Sequence, residues 1–100
     1  MTSSTRSDTL PDLPSVGDFL PGYDAAAWNG AVAPRGTPVE IVGKLNKEIS
    51  TGLADPAVKA HIAELGGVPM PMSPAEFGKL IADETEKWGK VVRAANIKAE

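Results

Sequence analysis

One hundred residues, 42% hydrophobic and 23% charged, make at most one ordinary domain and are globular rather than disordered in composition. A net charge of -3 with no basic cluster and no Arg-aromatic interleaving gives nucleic-acid binding no support. The absence of cysteine excludes a disulfide scaffold, a thiol nucleophile and thiolate metal sites, and no apolar run approaches the roughly 18 residues of a membrane span.

The N-terminal Met1-Thr2-Ser3-Ser4-Thr5-Arg6-Ser7 lacks an apolar h-region, which predicts that this chain carries no signal peptide. Leu10-Pro11-Asp12-Leu13-Pro14-Ser15 places prolines three apart and favours an irregular connector. A short helical turn is expected over Ser15–Leu20, then a turn at Pro21-Gly22. Leu10, Leu13, Val16, Phe19 and Leu20 are too apolar for a free tether.

Residues 24–33 are small and apolar, and they read as a central strand covered on both faces. Pro34-Arg35-Gly36 is a turn, and Thr37-Pro38 opens the first helix. Thr37 is expected at the N-cap, with Glu40 closing a capping box. That helix runs from about Pro38 to Leu53, with Ile41, Val42, Leu45, Ile49 and Leu53 on one stripe. Asp55-Pro56 opens a second helix that ends at Gly66-Gly67.

Val68-Pro69-Met70-Pro71-Met72 is expected to be an edge strand or a strap, because alternate prolines remove its donors. Ser73-Pro74-Ala75-Glu76 is a capping box for a long third helix, striped by Phe77, Leu80, Ile81, Trp88, Val91 and Val92. Asp83–Lys87 and Glu86–Lys90 are expected as exposed pairs, and Asn96 as the left-handed cap that ends the helix.

The residues show no catalytic constellation. His61 is the sole histidine and sits between Ala60 and Ile62 with no nucleophile elbow in the chain. It reads as a surface helix position, and a metal site needs more ligands than one histidine supplies. Asp83, Glu84 and Glu86 point in different directions around a helix, so they read as a solvated face; Glu84 lies near the apolar stripe with Trp88, where it can link to another element. No GxGxxG or P-loop spacing occurs. Trp28 and Trp88 read first as packing residues. Trp28-Asn29-Gly30 is the one stretch with a ligand reading, since the glycine permits close approach and the indole N–H and Asn amide suit a polar ligand.

The order of motifs carries more than any one of them. Leu10-Pro11-Asp12-Leu13-Pro14-Ser15-Val16, Leu20-Pro21-Gly22-Tyr23-Asp24, Trp28-Asn29-Gly30, Ala33-Pro34-Arg35-Gly36-Thr37-Pro38, Ala54-Asp55-Pro56, Ser73-Pro74-Ala75-Glu76-Phe77 and Lys87-Trp88-Gly89-Lys90-Val91-Val92 follow in that sequence. Over essentially its whole length the chain resembles the C-terminal third of the solute receptors of tripartite tricarboxylate transporters. The resemblance implies an α/β fold: a C-terminal fragment of a two-lobed periplasmic-binding-protein fold (type II), mainly three helices plus one or two strands.

On that resemblance, residues 1–23 are an inter-lobe crossing segment and connector, and residues 24–100 are the C-terminal part of the first lobe. It implies periplasmic capture of a small organic carboxylate, a tricarboxylate or related acid, for membrane subunits of the transporter. It implies no enzymatic activity, no cofactor and no metal. Ser4, Trp28 and Asn29 are the candidate ligand-binding residues on one cleft wall. Asn29 departs from the family, where an aromatic residue is common between the tryptophan and the glycine. The expectation for the chain alone is that it does not bind, with self-association through unpaired strand edges. The reading from another class is a stand-alone small helical module for protein–protein interaction.

Overall fold

The computed structural model describes residues 1–7 and 10–98. The segments read as 1–23 and 24–100 each include residues outside that range, 8–9 and 99–100 respectively. The regular elements are three helices, α1 (Val39–Ala54), α2 (Pro56–Glu64) and α3 (Pro74–Ala94), preceded by one 3-10 turn at Val16–Asp18. Helix α1 packs on both α2 and α3.

The expected α/β fold is corrected: the described residues contain no strand and no sheet. Two physical reasons account for this. Residues 24–33 are dominated by alanine, a poor strand former, and among the described residues no amide from Ala26 to Ala33 donates a hydrogen bond. Val68–Met72 cannot supply the missing partner, because Pro69 and Pro71 carry no donor. A strand exists only by pairing, and among the described residues no neighbour pairs with either segment. Self-association through strand edges falls with it, since these residues form no such edge.

Helix starts follow local chemistry closely, with one exception. Asp55 caps α2, its Oδ1 accepting from the amides of Ala57 (2.8 Å) and Val58 (3.2 Å). At α3 the capping box is complete: Ser73 Oγ accepts from Glu76 N–H at 3.2 Å, and Glu76 Oε2 accepts from Ser73 N–H at 2.7 Å. The exception is α1, where Pro38 is the N-cap and no side chain caps the helix. Thr37 Oγ1 instead donates to the Pro34 carbonyl at 2.8 Å. That bond closes the Pro34–Thr37 turn, whose third residue, Gly36, has φ +87° as a type II turn requires. The hydroxyl is thereby spent on the turn rather than on the helix.

Both Gly66 and Asn96 take the left-handed conformation, at φ +75° and +51°. Gly67 N–H reaches Ile62 O and Ile97 N–H reaches Val92 O, so α2 and α3 end in the same Schellman pattern. Asn96→Gly is expected to leave the helical circular-dichroism signal unchanged or slightly stronger. Asn96→Ala is expected to weaken the last turn by about 1 kcal/mol, because a Cβ opposes that backbone. Amide exchange at Asn96 and Ile97 reads both; faster exchange in the glycine variant rejects the assignment.

The Glu76 carboxyl is held below its ordinary value, first by the backbone hydrogen bond from Ser73 and then by the Ser73 side chain. A lowered folded-state value means the cap's support is fully present above the ordinary glutamate range. It is lost as pH falls through the lowered value. Acid titration is expected to fray the first turn of α3 before the remainder, with Glu76→Gln flattening that dependence. Ser73→Ala is expected to cost about 1 kcal/mol of helix stability at neutral pH. A first turn equally protected at acid and neutral pH overturns the account.

No apolar side chain is buried among the described residues; the sole buried residue is Ser15, at 1% exposure. The stripes form but stay half covered: Ile41, Leu45 and Ile49 on α1, and Trp88, Val91 and Val92 on α3, are each 40–50% exposed. The accessible surface is 8179 Å², against roughly 5,400 Å² expected for a compact chain of 10.4 kDa. The radius of gyration, 16.5 Å, likewise exceeds the roughly 13 Å of a compact hundred-residue domain.

Candidate functional site

The three candidate residues fall in two places. Trp28 and Asn29 line an open, largely apolar groove of about 730 Å³. Its far walls are α1, through Val42, Leu45 and Ile49, and α3, through Phe77, Leu80 and Ile81. The segment 70–72 closes one side, held by Asn46 Nδ2 donating to the Met72 carbonyl at 2.8 Å. Trp28 meets Phe77 edge-to-face, with ring centroids 5.7 Å apart and planes at 87°. Gly30 lies against the same ring so closely that a Cβ there would stand 2.2 Å from Phe77 Cζ. Glycine at position 30 is therefore what lets the 28–34 segment lie on α3.

Ser4 is exposed and lies outside the groove lining. Its amide donates to Asp24 Oδ1 at 2.9 Å. Asp24 Oδ2 in turn lies 3.7 Å from Lys87 Nζ on α3. Lys87 Nζ also reaches Glu84 Oε1 at 3.4 Å and lies 5.5 Å from the centroid of the Trp88 ring. Trp88 Nε1 donates to Glu84 Oε2 at 2.7 Å. Ser4, Asp24 and the 84–88 turn of α3 thus form one polar chain, separate from the groove.

These geometries amend two sequence readings. Asp83 pairs with Lys79, four residues back, rather than with Lys87. Lys87 turns instead toward Glu84 and Asp24, while Glu86–Lys90 forms as expected at 2.7 Å. Glu84 stays on its own helix, so Lys87 makes the link to another element. The exposed Asp24–Lys87 pair contributes at most about 1 kcal/mol. Sequence reasoning missed Asp24, Asn46 and Phe77 as site-shaping residues. Ser73–Phe77 was legible as a motif, yet nothing in the spacing joins Asn46 to Met72 or Phe77 to Trp28.

A second structural role attaches to Ser15. Its Oγ donates to the Ser3 carbonyl at 2.5 Å and accepts from Gly17 N–H at 3.1 Å, while its own N–H donates to Asp18 Oδ2 at 3.2 Å. Arg6 pairs with the same Asp18 oxygen at 3.0 Å. This knot, with Ala25 N–H donating to Thr2 O at 2.8 Å, fixes the position of Ser4.

The groove supplies apolar surface and neutral amides, and the polar chain one cation, Lys87, already faced by the carboxylates of Asp24 and Glu84. Among the described residues, no group of three or more His, Asp or Glu side chains could hold a metal ion. No helix among them is long and apolar enough to cross a membrane.

Comparison with known proteins gives this geometry its context. Residues 1–97 match the family described as TctC, tripartite tricarboxylate transporter family receptor. A UPF0065 protein in the tcbD-tcbE intergenic region of a Pseudomonas species is 35% identical over 94 residues, covering 92% of this chain and 28% of that protein. A UPF0065 protein in the TAR-I ttuE-ttuC' intergenic region of Agrobacterium vitis is 35% identical, covering 95% of this chain and 29% of that protein. Protein BugT of Bordetella pertussis is 34% identical, covering 96% and 30%. No solved structure matches the chain. The chain thus spans less than a third of the length of these relatives while matching the family across nearly all of its own. By that match, this chain belongs to the tripartite tricarboxylate transporter receptor family.

Proposed function

We propose that the chain is the C-terminal part of a periplasmic receptor that captures a small organic carboxylate for a tripartite transporter. The observation that carries this reading is the family match over residues 1–97, joined to coverage of under a third of the relatives' length. The lack of any buried apolar side chain among the described residues supports it, because such a chain has unmet packing demands that a larger receptor satisfies. In this role residues 1–23 are the crossing segment between lobes, and Trp28, Asn29 and Ser4 are contributions to one wall of the cleft. Closure of the lobes around the carboxylate biases the receptor toward the state that membrane subunits recognise. No bond-making step enters this function.

The test is a receptor in which this chain replaces the matching segment of the Pseudomonas relative. Calorimetry against a panel of small di- and tricarboxylates, citrate included, is expected to give saturable binding by that receptor and no heat from the chain alone. Micromolar citrate binding by the isolated chain overturns the reading, as does a folded hybrid receptor that takes no member of the panel.

A further inference from the structure

We infer that Lys87 is a positioning residue for ligand capture: through the Asp24 carboxylate it fixes the backbone at Ser4, without touching the ligand itself. The inference rests on the receptor reading above, in which Ser4 contributes to one wall of the cleft. Among the described residues, Lys87–Asp24 is the one ion pair that joins a helix to residues 1–25.

The contacts run in one direction, from α3 to Ser4. Lys87 Nζ lies 3.7 Å from Asp24 Oδ2, and the other oxygen of that carboxylate accepts from Ser4 N–H at 2.9 Å. Behind Lys87, Glu84 Oε1 lies 3.4 Å from the ammonium, while Trp88 Nε1 donates to the second Glu84 oxygen at 2.7 Å. An indole thus holds the carboxylate that steadies the lysine. Two carboxylates face one ammonium, so the cluster is net negative and offers an anionic ligand no free cation. What Lys87 can contribute to binding is therefore position. The backbone it acts on has few other ties to the helices. Residues 1–3 are gripped by Val16 N–H on Met1 O, by Ser15 Oγ on Ser3 O and by Ala25 N–H on Thr2 O, all within the N-terminal quarter. Beyond Ala25, the amides from Ala26 to Ala33 donate no hydrogen bond among the described residues. Side chains must hold that segment, and α3 does so at two points: Lys87 at Asp24, and Phe77 at Trp28. Releasing Asp24 frees the end of the segment nearest Ser4.

The test measures carboxylate affinity by calorimetry in the hybrid receptor described above, using the panel member it binds most tightly. Lys87→Met keeps the stem and the helix propensity and deletes the charge. It is expected to weaken binding about two- to fivefold, the range an exposed ion pair supplies, and Lys87→Arg to restore most of the loss. Asp24→Asn separates position from field. It keeps an acceptor for Ser4 N–H, loses the tie to α3 and removes a negative charge. Positioning predicts weaker binding by this variant, whereas an effect of charge alone predicts tighter binding of an anion. The Lys87→Met/Asp24→Asn double variant is expected to bind no more weakly than the weaker single variant, because both cut one link. Lys90→Met breaks the exposed Glu86 pair on the same helix and is expected to leave affinity unchanged. The isolated chain gives a readout without ligand: exchange of the Ser4 amide is expected to quicken about two- to fivefold in Lys87→Met, at equal helix content by circular dichroism. Four outcomes overturn the inference: full affinity in Lys87→Met, tighter binding by Asp24→Asn, losses that multiply in the double variant, or Ser4 exchange indifferent to Lys87. A hybrid that takes no carboxylate overturns the receptor reading instead, and Ser4 exchange then still decides whether Lys87 fixes that backbone.

Discussion

Gly30→Ala is expected to move Trp28 emission to the red and to detach the 28–34 segment from α3. The added Cβ would stand 2.2 Å from Phe77 Cζ and 2.9 Å from Cε2, closer than any real contact permits. The ring tip is free to swing, so the backbone need not break. Swinging it, however, abandons the edge-to-face pair with Trp28, worth about 0.5–1.5 kcal/mol, along with part of the groove wall. A total of about 1–2 kcal/mol follows. Phe77→Ala supplies the control. With the ring gone, adding Gly30→Ala is expected to cost little more, and the double-mutant cycle reports the coupling directly. Additive effects of the two substitutions, or an unshifted Trp28 emission in a Trp88→Phe background, reject the contact.

Helix boundaries were legible because their signals are local. Asp55-Pro56 and Ser73-Pro74 place a side-chain acceptor next to a residue with no amide to satisfy, and both helices begin there. Asn96 was legible for the same reason at the other end. Thr37-Pro38 has the same spelling and a different outcome. Its hydroxyl had two carbonyl or amide partners within reach, and the Pro34 carbonyl of the preceding turn won. Sequence cannot rank two local partners when both are three residues away.

The strands failed for a different reason. A run of small apolar residues says that a segment is to be covered, not what covers it or in what form. Residues 24–33 satisfy the first statement, and with no paired neighbour among the described residues they take no regular form. The candidate site divides along the same line. Trp28 and Asn29 were singled out from the chemistry of the Trp28-Asn29-Gly30 stretch and from the family resemblance, and both border the groove. Asp24 and Lys87 were not, because sixty-odd residues separate them and no periodicity spans that gap. The polar chain from Ser4 to Trp88 is a product of tertiary placement alone.

Urea titration of the isolated chain is expected to give a broad transition in which helix content and Trp emission do not coincide. Surface area sets this expectation. An unfolded chain of 10.4 kDa exposes roughly 15,100 Å², and a compact one about 5,400 Å². At 8179 Å² this chain hides only about 70% of the area a compact fold of its mass would hide. Denaturant sensitivity scales with that area, so its slope is expected at or below about 70% of the compact value. Cooperativity should fall further than the slope, since among the described residues no apolar side chain is buried to tie the helices into one unit. The half-covered stripes of α1 and α3 are expected to bind the dye ANS strongly, and Leu45→Asp and Ile49→Asp to reduce that signal most, since both positions line the groove. A steep single transition seen identically by both probes, with weak dye binding, refutes the open architecture.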